Sequence, residues 1–335
     1  MAKFFSPKNH KNYLNTIDTQ AAIKLLKDNF EKKLAHKLHL TRVSAPLFVR
    51  AGSGLNDDLN GFERAVGFDI KALGINAEIV HSLAKWKRYA LGRYNLSAGQ
   101  GIYADMNAIR RDEELDNIHS IYVDQWDWEL IISEENRNID FLKQIVCKIF
   151  KIFKEIEDIV LSHYPSLPPQ LPDEIFFITS QELEDLYPNL ASNEREHEIA
   201  KKEKAVFIMQ IGGNLKSGNP HDGRAPDYDD WQLNGDIIFW NSILEMPLEM
   251  SSMGIRVDAD TLKKQLTVSN QTERANLDFH KALLQGKLPQ TIGGGIGMSR
   301  LCMFFLQKAH IGQVQASIWD LETINFCEKL EIELL

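Results

Sequence analysis

Apolar positions along the chain recur with two periods. From about Thr19 to Leu38, the residues Ile23, Leu26, Phe30, Leu34 and Leu38 fall three or four apart and share one helical face, with Asp18 or Thr19 available to cap the start. A longer amphipathic helix is expected from about Ile139 to Tyr164, striped by Leu142, Ile145, Ile149, Phe153, Ile156 and Val160. Between them, Val43–Val49 reads as a strand in which Pro46 favours an edge or an end. A loop rich in Gly, Asn and Asp follows at Gly52–Gly61, then apolar runs at Ala65–Leu73 and Glu78–Leu83, a helical segment at Ala84–Tyr94 and a second loop at Gly99–Gly101. Ile121–Glu129 alternates with a period of two. Val123, Gln125, Asp127 and Glu129 share one face, and Tyr122, Asp124, Trp126 and Trp128 the other.

Beyond the Pro-rich break Ser166–Pro172, Glu174–Thr179 and Ala205–Ile211 read as strands with helical material between them. A polar loop, Gly212–Asp230, precedes strands at Asp236–Trp240 and Pro247–Ser251. Helices are expected near Ala259–Leu266 and Thr272–Gln285, and a glycine cluster opens into an apolar helix at about Met298–Gln307. Long helices with clustered strands predict an α+β fold, a mostly antiparallel sheet flanked by helices. No repeat, low-complexity tract or linker divides the chain, so residues 1–335 are expected to form a single domain.

Charge and composition narrow the partners. With 38 Lys plus Arg against 47 Asp plus Glu the net charge is −9, which argues against a basic groove for nucleic acid. A hydrophobic content of 44% over 335 residues excludes disorder. No apolar run reaches the ~18 residues that span a bilayer, and the first residues carry no signal-peptide pattern. Cys147, Cys302 and Cys327 are too widely spaced for a metal knuckle or a disulfide framework. A soluble, cytoplasmic protein is expected, with neither nucleic acid nor membrane as partner.

Several groups could carry chemistry. Gln125, Asp127 and Glu129 would be costly on a core face, so that face is wet or lines a polar pocket; the tryptophans opposite favour the pocket. In Thr291-Ile-Gly-Gly-Gly-Ile-Gly-Met-Ser-Arg300 the glycines let backbone approach a ligand, or serve a tight turn with close helix packing. The cluster is neither a P-loop nor a dinucleotide fingerprint, but Arg300, one turn into the helix, could stack on a base or meet a phosphate. Asp236 and Glu249 lie on neighbouring strands, where two carboxylates could hold Mg²⁺ beside a nucleotide, or could be a strand cap and a solvated charge. His81-Ser-Leu-Ala-Lys-Trp-Lys-Arg88 could grip a carboxylate or phosphate, or form a solvated helix face. Asp227, Asp229 and Asp230 could bind a cation or steer ammonium by their field. His81 and His221 could act as general bases, but no Ser or Cys nucleophile motif accompanies them; His221 and the cysteines are expected to be structural.

Taken in order, His81–Arg88, Val123–Glu129, Arg224–Trp231, Ser251–Asp260 and Pro289–Gly297 resemble the ammonia-dependent asparagine synthetases, aspartate–ammonia ligases that share the catalytic fold of class II aminoacyl-tRNA synthetases. The resemblance runs from about Asp18 to Trp319. It implies that ATP, L-aspartate and ammonia give L-asparagine, AMP and pyrophosphate through a β-aspartyl adenylate. The first class II signature would be the Thr19–Leu38 helix with the Pro46 strand, the dimer interface of that fold, which implies a homodimer. Arg110 would meet the α-phosphate and Arg300 the adenine or γ-phosphate, beside Gly293, Gly294 and Gly295. Asp236 and Glu249 match the fold's Mg²⁺-binding acids. Lys87 and Gln125 would hold aspartate, Asp127 its α-amino group, and Asp57 would sit at the carboxylate being activated and place ammonia. Arg224, Asp229, Ser251 and Ser252 would line the rest. The chain departs from the family at Leu55-Asn56, where a threonine–glutamine pair is usual, and at Arg111, where proline is common. Two alternatives differ in what they require. An aspartyl- or asparaginyl-tRNA synthetase needs an anticodon-reading module, which the sequence lacks before and after the core. A non-catalytic nucleotide-binding paralogue would have lost Arg110, Arg300 or the Mg²⁺ acids, and all are present. A glutamine-dependent enzyme needs an N-terminal Cys, and position 2 is Ala.

Overall fold

Eight strands form the large sheet of the computed structural model, which describes residues 4–7, 11–57, 59 and 63–335. The elements run α1 (Thr16–Leu38), β1 (Leu40–Arg42), β2 (Phe48–Arg50), β3 (Gly67–Ile70), β4 (Ile75–Ile79), α2 (Ala84–Leu91), β5 (Gly101–Ile109) and β6 (Tyr122–Ile131). Next come α3 (Ile139–His163), β7 (Phe176–Thr179), α4 (Ser180–Leu186), α5 (Ser192–Glu203), β8 (Ala205–Met209), β9 (Asp229–Asn241) and β10 (Met246–Arg256). The chain continues through α6 (Ala259–Val268), α7 (Asp278–Leu284), β11 (Thr291–Gly297), α8 (Met298–Phe305) and α9 (Leu321–Lys329).

Across the large sheet the order is β1-β5-β6-β11-β10-β9-β8-β7, and β2-β4-β3 form a smaller sheet. The large sheet is mixed rather than mostly antiparallel as expected: β1–β5 and β7–β8 pair parallel at its two edges. Parallel neighbours need crossovers. Here the smaller sheet and α2 carry the chain from β1 to β5, and α4 with α5 carry it from β7 to β8.

One sheet face packs on α1, α3 and α8. The expected stripe of α3 is buried in full, and Phe30 of α1 stacks on Trp126 of β6 at 4.9 Å. Trp128, Ile292, Ile296, Met253 and Ile255 share that core. Alternation then turns Gln125, Asp127, Glu129, Gly293, Gly295, Ser252 and Arg256 to the opposite face. The register aligns Asp127, Gly295, Ser252 and Asp236 in one row across four strands.

Local differences from the sequence expectations have physical causes. Asn15, not Asp18 or Thr19, caps α1: its Oδ1 accepts from the Asp18 N–H at 2.8 Å, and Thr19 Oγ1 donates back to Asn15 O. Val43–Val49 is not a continuous strand; the Pro46 segment, with no ladder, separates β1 from β2. Part of the Gly52–Gly61 loop (Asp58, Asn60 and Gly61) lies outside the described residues. The polar stretch before Asp236 is already strand from Asp229, because its acids are neutralised in place. Thr272–Gln285 breaks at Leu277 into a short 3₁₀ turn and α7. The glycine cluster is not a turn but β11 itself, in the middle of the sheet.

Candidate active site

The polar sheet face opens into a cleft of two connected lobes. Arg110, Gln125, Glu249 and Gly295 belong to both. The first lobe adds Asp124, Ser299, Arg300 and Gln315; the second adds Asp57, Asp127, Arg224, Asp229, Ser252 and Arg256. Gly294 also lines the second lobe.

Paired charges dominate the second lobe. Arg256 donates from Nε and Nη2 to the two Glu129 oxygens at 3.0 and 2.7 Å, and from Nη1 to Asp229 Oδ1 at 2.5 Å. Burial works against this guanidinium, but Glu129 and Asp229 outweigh it and hold it above its ordinary range. Burial likewise opposes the Glu129 charge, and Arg256 and Lys87 pull that carboxyl below its usual range. Asp229 is pushed up by burial despite Arg256. The ladder needs glycine beneath it: a Cβ on Gly293 would stand 2.0 Å from Glu129 Oε2, and one on Gly254 would stand 2.8 Å from Asp229 Cγ.

Lys87 lies below the cleft rather than in its wall. It is fully buried on α2, and its Nζ donates to Asp127 Oδ1 at 2.5 Å and to Gly294 O at 3.2 Å. Burial lowers its pKa against the pull of Asp127 and Glu129. Gln125 arches over Gly295, with Oε1 2.5 Å from where a Cβ would be. Asp57 is buried beside it in the second lobe and accepts from Leu59 N–H at 2.9 Å and Ser82 Oγ at 3.0 Å. Asn56, at the position where the family pattern has glutamine, accepts from the His81 N–H at 2.9 Å and so ties the Asp57 loop to the start of α2.

Asp236 of β9 lies opposite Ser252 on the polar sheet face but is not among the residues that line the lobes, whereas Glu249 of β10, offset along the ladder by a bulge between Glu249 and Ser251, lines both. Arg224 donates to Asp236 Oδ2, while Asp236 Oδ1 is buried without a hydrogen-bond partner among the described residues. Burial pushes the Asp236 carboxyl up to about 7 against the pull of Arg224, with Glu249 adding to the push. This is a site short of positive charge, and its donors suit a hard divalent cation. Among the described residues no three His, Cys, Asp or Glu groups converge on one point. At the lip, Arg300 donates to the Glu249 carbonyl oxygen at 3.0 Å, and Arg110 lies 3.5 Å from Glu113.

Four further candidates from the sequence are placed away from the cleft or are already engaged. Ser251 is buried and lies on the core side of β10, one residue out of phase with Ser252. Gly293 lies under the Glu129–Arg256 pair and is not among the residues that line the two lobes. Asp227 and Asp230 are unavailable to a cation: Asp227 is bound by Lys85, Arg274 and His280, and Asp230 by Arg137. Burial opposes the Asp227 charge, but those neighbours outweigh it and hold its carboxyl far below the usual range. Arg256, Tyr228 and Ser82 line the cleft without having been singled out from the sequence. Counting carboxylates on the Gln125 face would have flagged Arg256, since buried acids need a cation.

Known proteins resemble this chain in sequence and in fold. The family model described as aspartate-ammonia ligase matches residues 17–331. The chain is 61% identical to the aspartate–ammonia ligase of Clostridium perfringens over all of both chains. It is 62% identical to that of Clostridium tetani, over 98% of this chain and 97% of the relative. Its fold is similar to that of the asparaginyl-tRNA synthetase of Pyrococcus horikoshii solved with asparaginyl-adenylate (TM-score 0.65, 12% identity, 90% of this chain and 70% of that one). The chain therefore belongs to the aspartate–ammonia ligase family.

Proposed function

We propose that this chain joins ammonia to the side-chain carboxylate of L-aspartate, using ATP and releasing AMP and pyrophosphate, by way of a β-aspartyl adenylate. The observation that carries the reading is the meeting of the two lobes at Arg110, Gln125, Glu249 and Gly295, so that a phosphate in one lies next to a carboxylate in the other.

A carboxylate resists amidation because its charge repels nucleophiles and oxide is a poor leaving group. Transfer of AMP turns it into a mixed anhydride. Arg110, whose Nε is buried without a partner among the described residues, suits the α-phosphate, and Arg300 at the outer lip suits the base or the γ-phosphate. Asp127, whose Oδ2 has no hydrogen-bond partner among the described residues, suits the substrate's α-amino group, with Lys87 holding its other oxygen in place. Gln125, Arg224, Asp229 and Ser252 would shape the same lobe, and Asp57 would attract ammonium to the activated carbon. Mg²⁺ at Asp236 and Glu249 would offset phosphate charge while the adenylate forms and pyrophosphate departs. The reading includes a homodimer across the α1–β2 region, where Ile17, Leu47 and Phe48 are exposed.

Aspartate carrying heavy oxygen in its side-chain carboxylate tests the intermediate. One labelled oxygen per turnover should appear in the phosphate of AMP; AMP free of label would reject an acyl adenylate.

A further inference from the structure

We infer that His81 is the base that takes a proton from ammonium in the second half-reaction; this rests on the adenylate reading above. His81 joins β4 to α2 and is 1% exposed. Its Nδ1 lies 2.9 Å from the backbone carbonyl oxygen of Asp57. A carbonyl oxygen only accepts, so Nδ1 carries the hydrogen and the lone pair of the neutral ring sits on Nε2. Nε2 is buried and has no hydrogen-bond partner among the described residues, and the ring lines the lobe that holds Asp57, Ser82, Tyr228 and Asp229. A buried acceptor without a donor is costly, and an ammonium N–H satisfies it.

The neighbouring carboxylate is already engaged. Asp57 already accepts from Leu59 N–H and Ser82 Oγ, bonds that favour its charged form. Its part is to hold the cation; the open lone pair of His81 Nε2 takes the proton. Ammonium gives one proton to His81 Nε2, which becomes imidazolium. The freed nitrogen lone pair forms the C–N bond to the β-carbonyl carbon. The C–O bond to phosphate then breaks, its electron pair leaving on AMP. The adduct nitrogen, made acidic by the adjoining acyl carbon, gives its second proton to water, and His81 returns its proton to solvent after AMP departs.

His81→Asn keeps a donor near Nδ1 for the Asp57 carbonyl and removes the base. Aspartate-dependent exchange of pyrophosphate into ATP reports folding and adenylation, and it should persist in this variant. Asparagine formation from ammonium should fall about 100-fold. Formation of the hydroxamate from hydroxylamine, which is already neutral at neutral pH, should be retained. Equal losses with the two nucleophiles, or unchanged turnover with ammonium, would overturn the assignment. If the asparagine variant shows no exchange, His81→Gln is read in the same way. Absence of aspartate-dependent exchange in the unaltered enzyme would instead reject the adenylate reading itself.

Discussion

Glu129 and Arg256 face each other directly above Gly293, with both guanidinium-to-carboxylate contacts at 2.7 and 3.0 Å and both side chains buried. The pair occupies the place a Gly293 side chain would take, 2.0 Å from Glu129 Oε2 and 2.5 Å from Arg256 Nη2. Gly293→Ala should therefore destabilise the protein by about 2 kcal/mol and raise KM for aspartate. At Gly67 a Cβ meets nothing nearer than 3.7 Å, and Gly67→Ala should cost about 0.5 kcal/mol or less. Urea unfolding of the two variants makes the comparison.

Arg256→Met removes the guanidinium that binds Asp229 Oδ1 and is the bidentate partner of Glu129, leaving buried carboxylates short of charge. The expected loss is about 3–5 kcal/mol. Arg256→Lys should recover only part of it, since an ammonium cannot match two planar carboxylates at once. Chemical denaturation measures both.

Asp57→Asn should slow turnover sharply and raise KM for ammonium while leaving KM for aspartate nearly unchanged, because Asp57 is tied to Leu59 N–H and Ser82 Oγ whereas Asp127 is held by Lys87. Steady-state kinetics with each substrate varied in turn checks this; unchanged turnover would remove Asp57 from the mechanism.

Glu249 has a half-exposed side chain, so Glu249→Gln should fold normally. It should raise the Mg²⁺ concentration that half-saturates pyrophosphate exchange by about tenfold or more. An unchanged Mg²⁺ dependence would place the metal elsewhere.

His310 gives a pH signature of stability. Burial lowers its pKa from the ordinary 6.5 to about 4, and Nδ1 accepts from Gly312 N–H at 3.0 Å. Between those values the unfolded chain binds the proton and the folded one does not, so this contribution falls as pH drops from 7 towards 4. Between pH 7 and 5 the loss should be about 2 kcal/mol, and His310→Gln should flatten that part of the profile. A variant with the same slope as the parent would contradict it.

The period-two alternation of Ile121–Glu129 was enough to predict a pocket face and a core face, and the α3 stripe was complete, because each element has one strong apolar side. Gly101–Ile109 was not read as a strand although Ile102, Ala104, Met106 and Ala108 alternate with Tyr103, Asp105 and Asn107, because two alanines give its buried side a weak apolar signal. The parallel edges escaped for a different reason, since pairing direction depends on crossovers and not on local pattern. At the site, residue types foretold many of the residues that line the cleft but not the phase of each. Ser251 and Ser252 are adjacent in sequence and lie on opposite sheet faces, and only the bulge and ladder register decide which one meets the cleft.

The central claim, that one cleft activates aspartate with ATP and delivers the acyl group to ammonia, is tested most directly by following AMP and asparagine together with ATP, Mg²⁺, aspartate and ammonium and no tRNA. The account predicts one asparagine for each AMP, with no asparagine when ammonium is left out. Aspartate-dependent pyrophosphate exchange that never yields asparagine would contradict it and point to a different acyl acceptor.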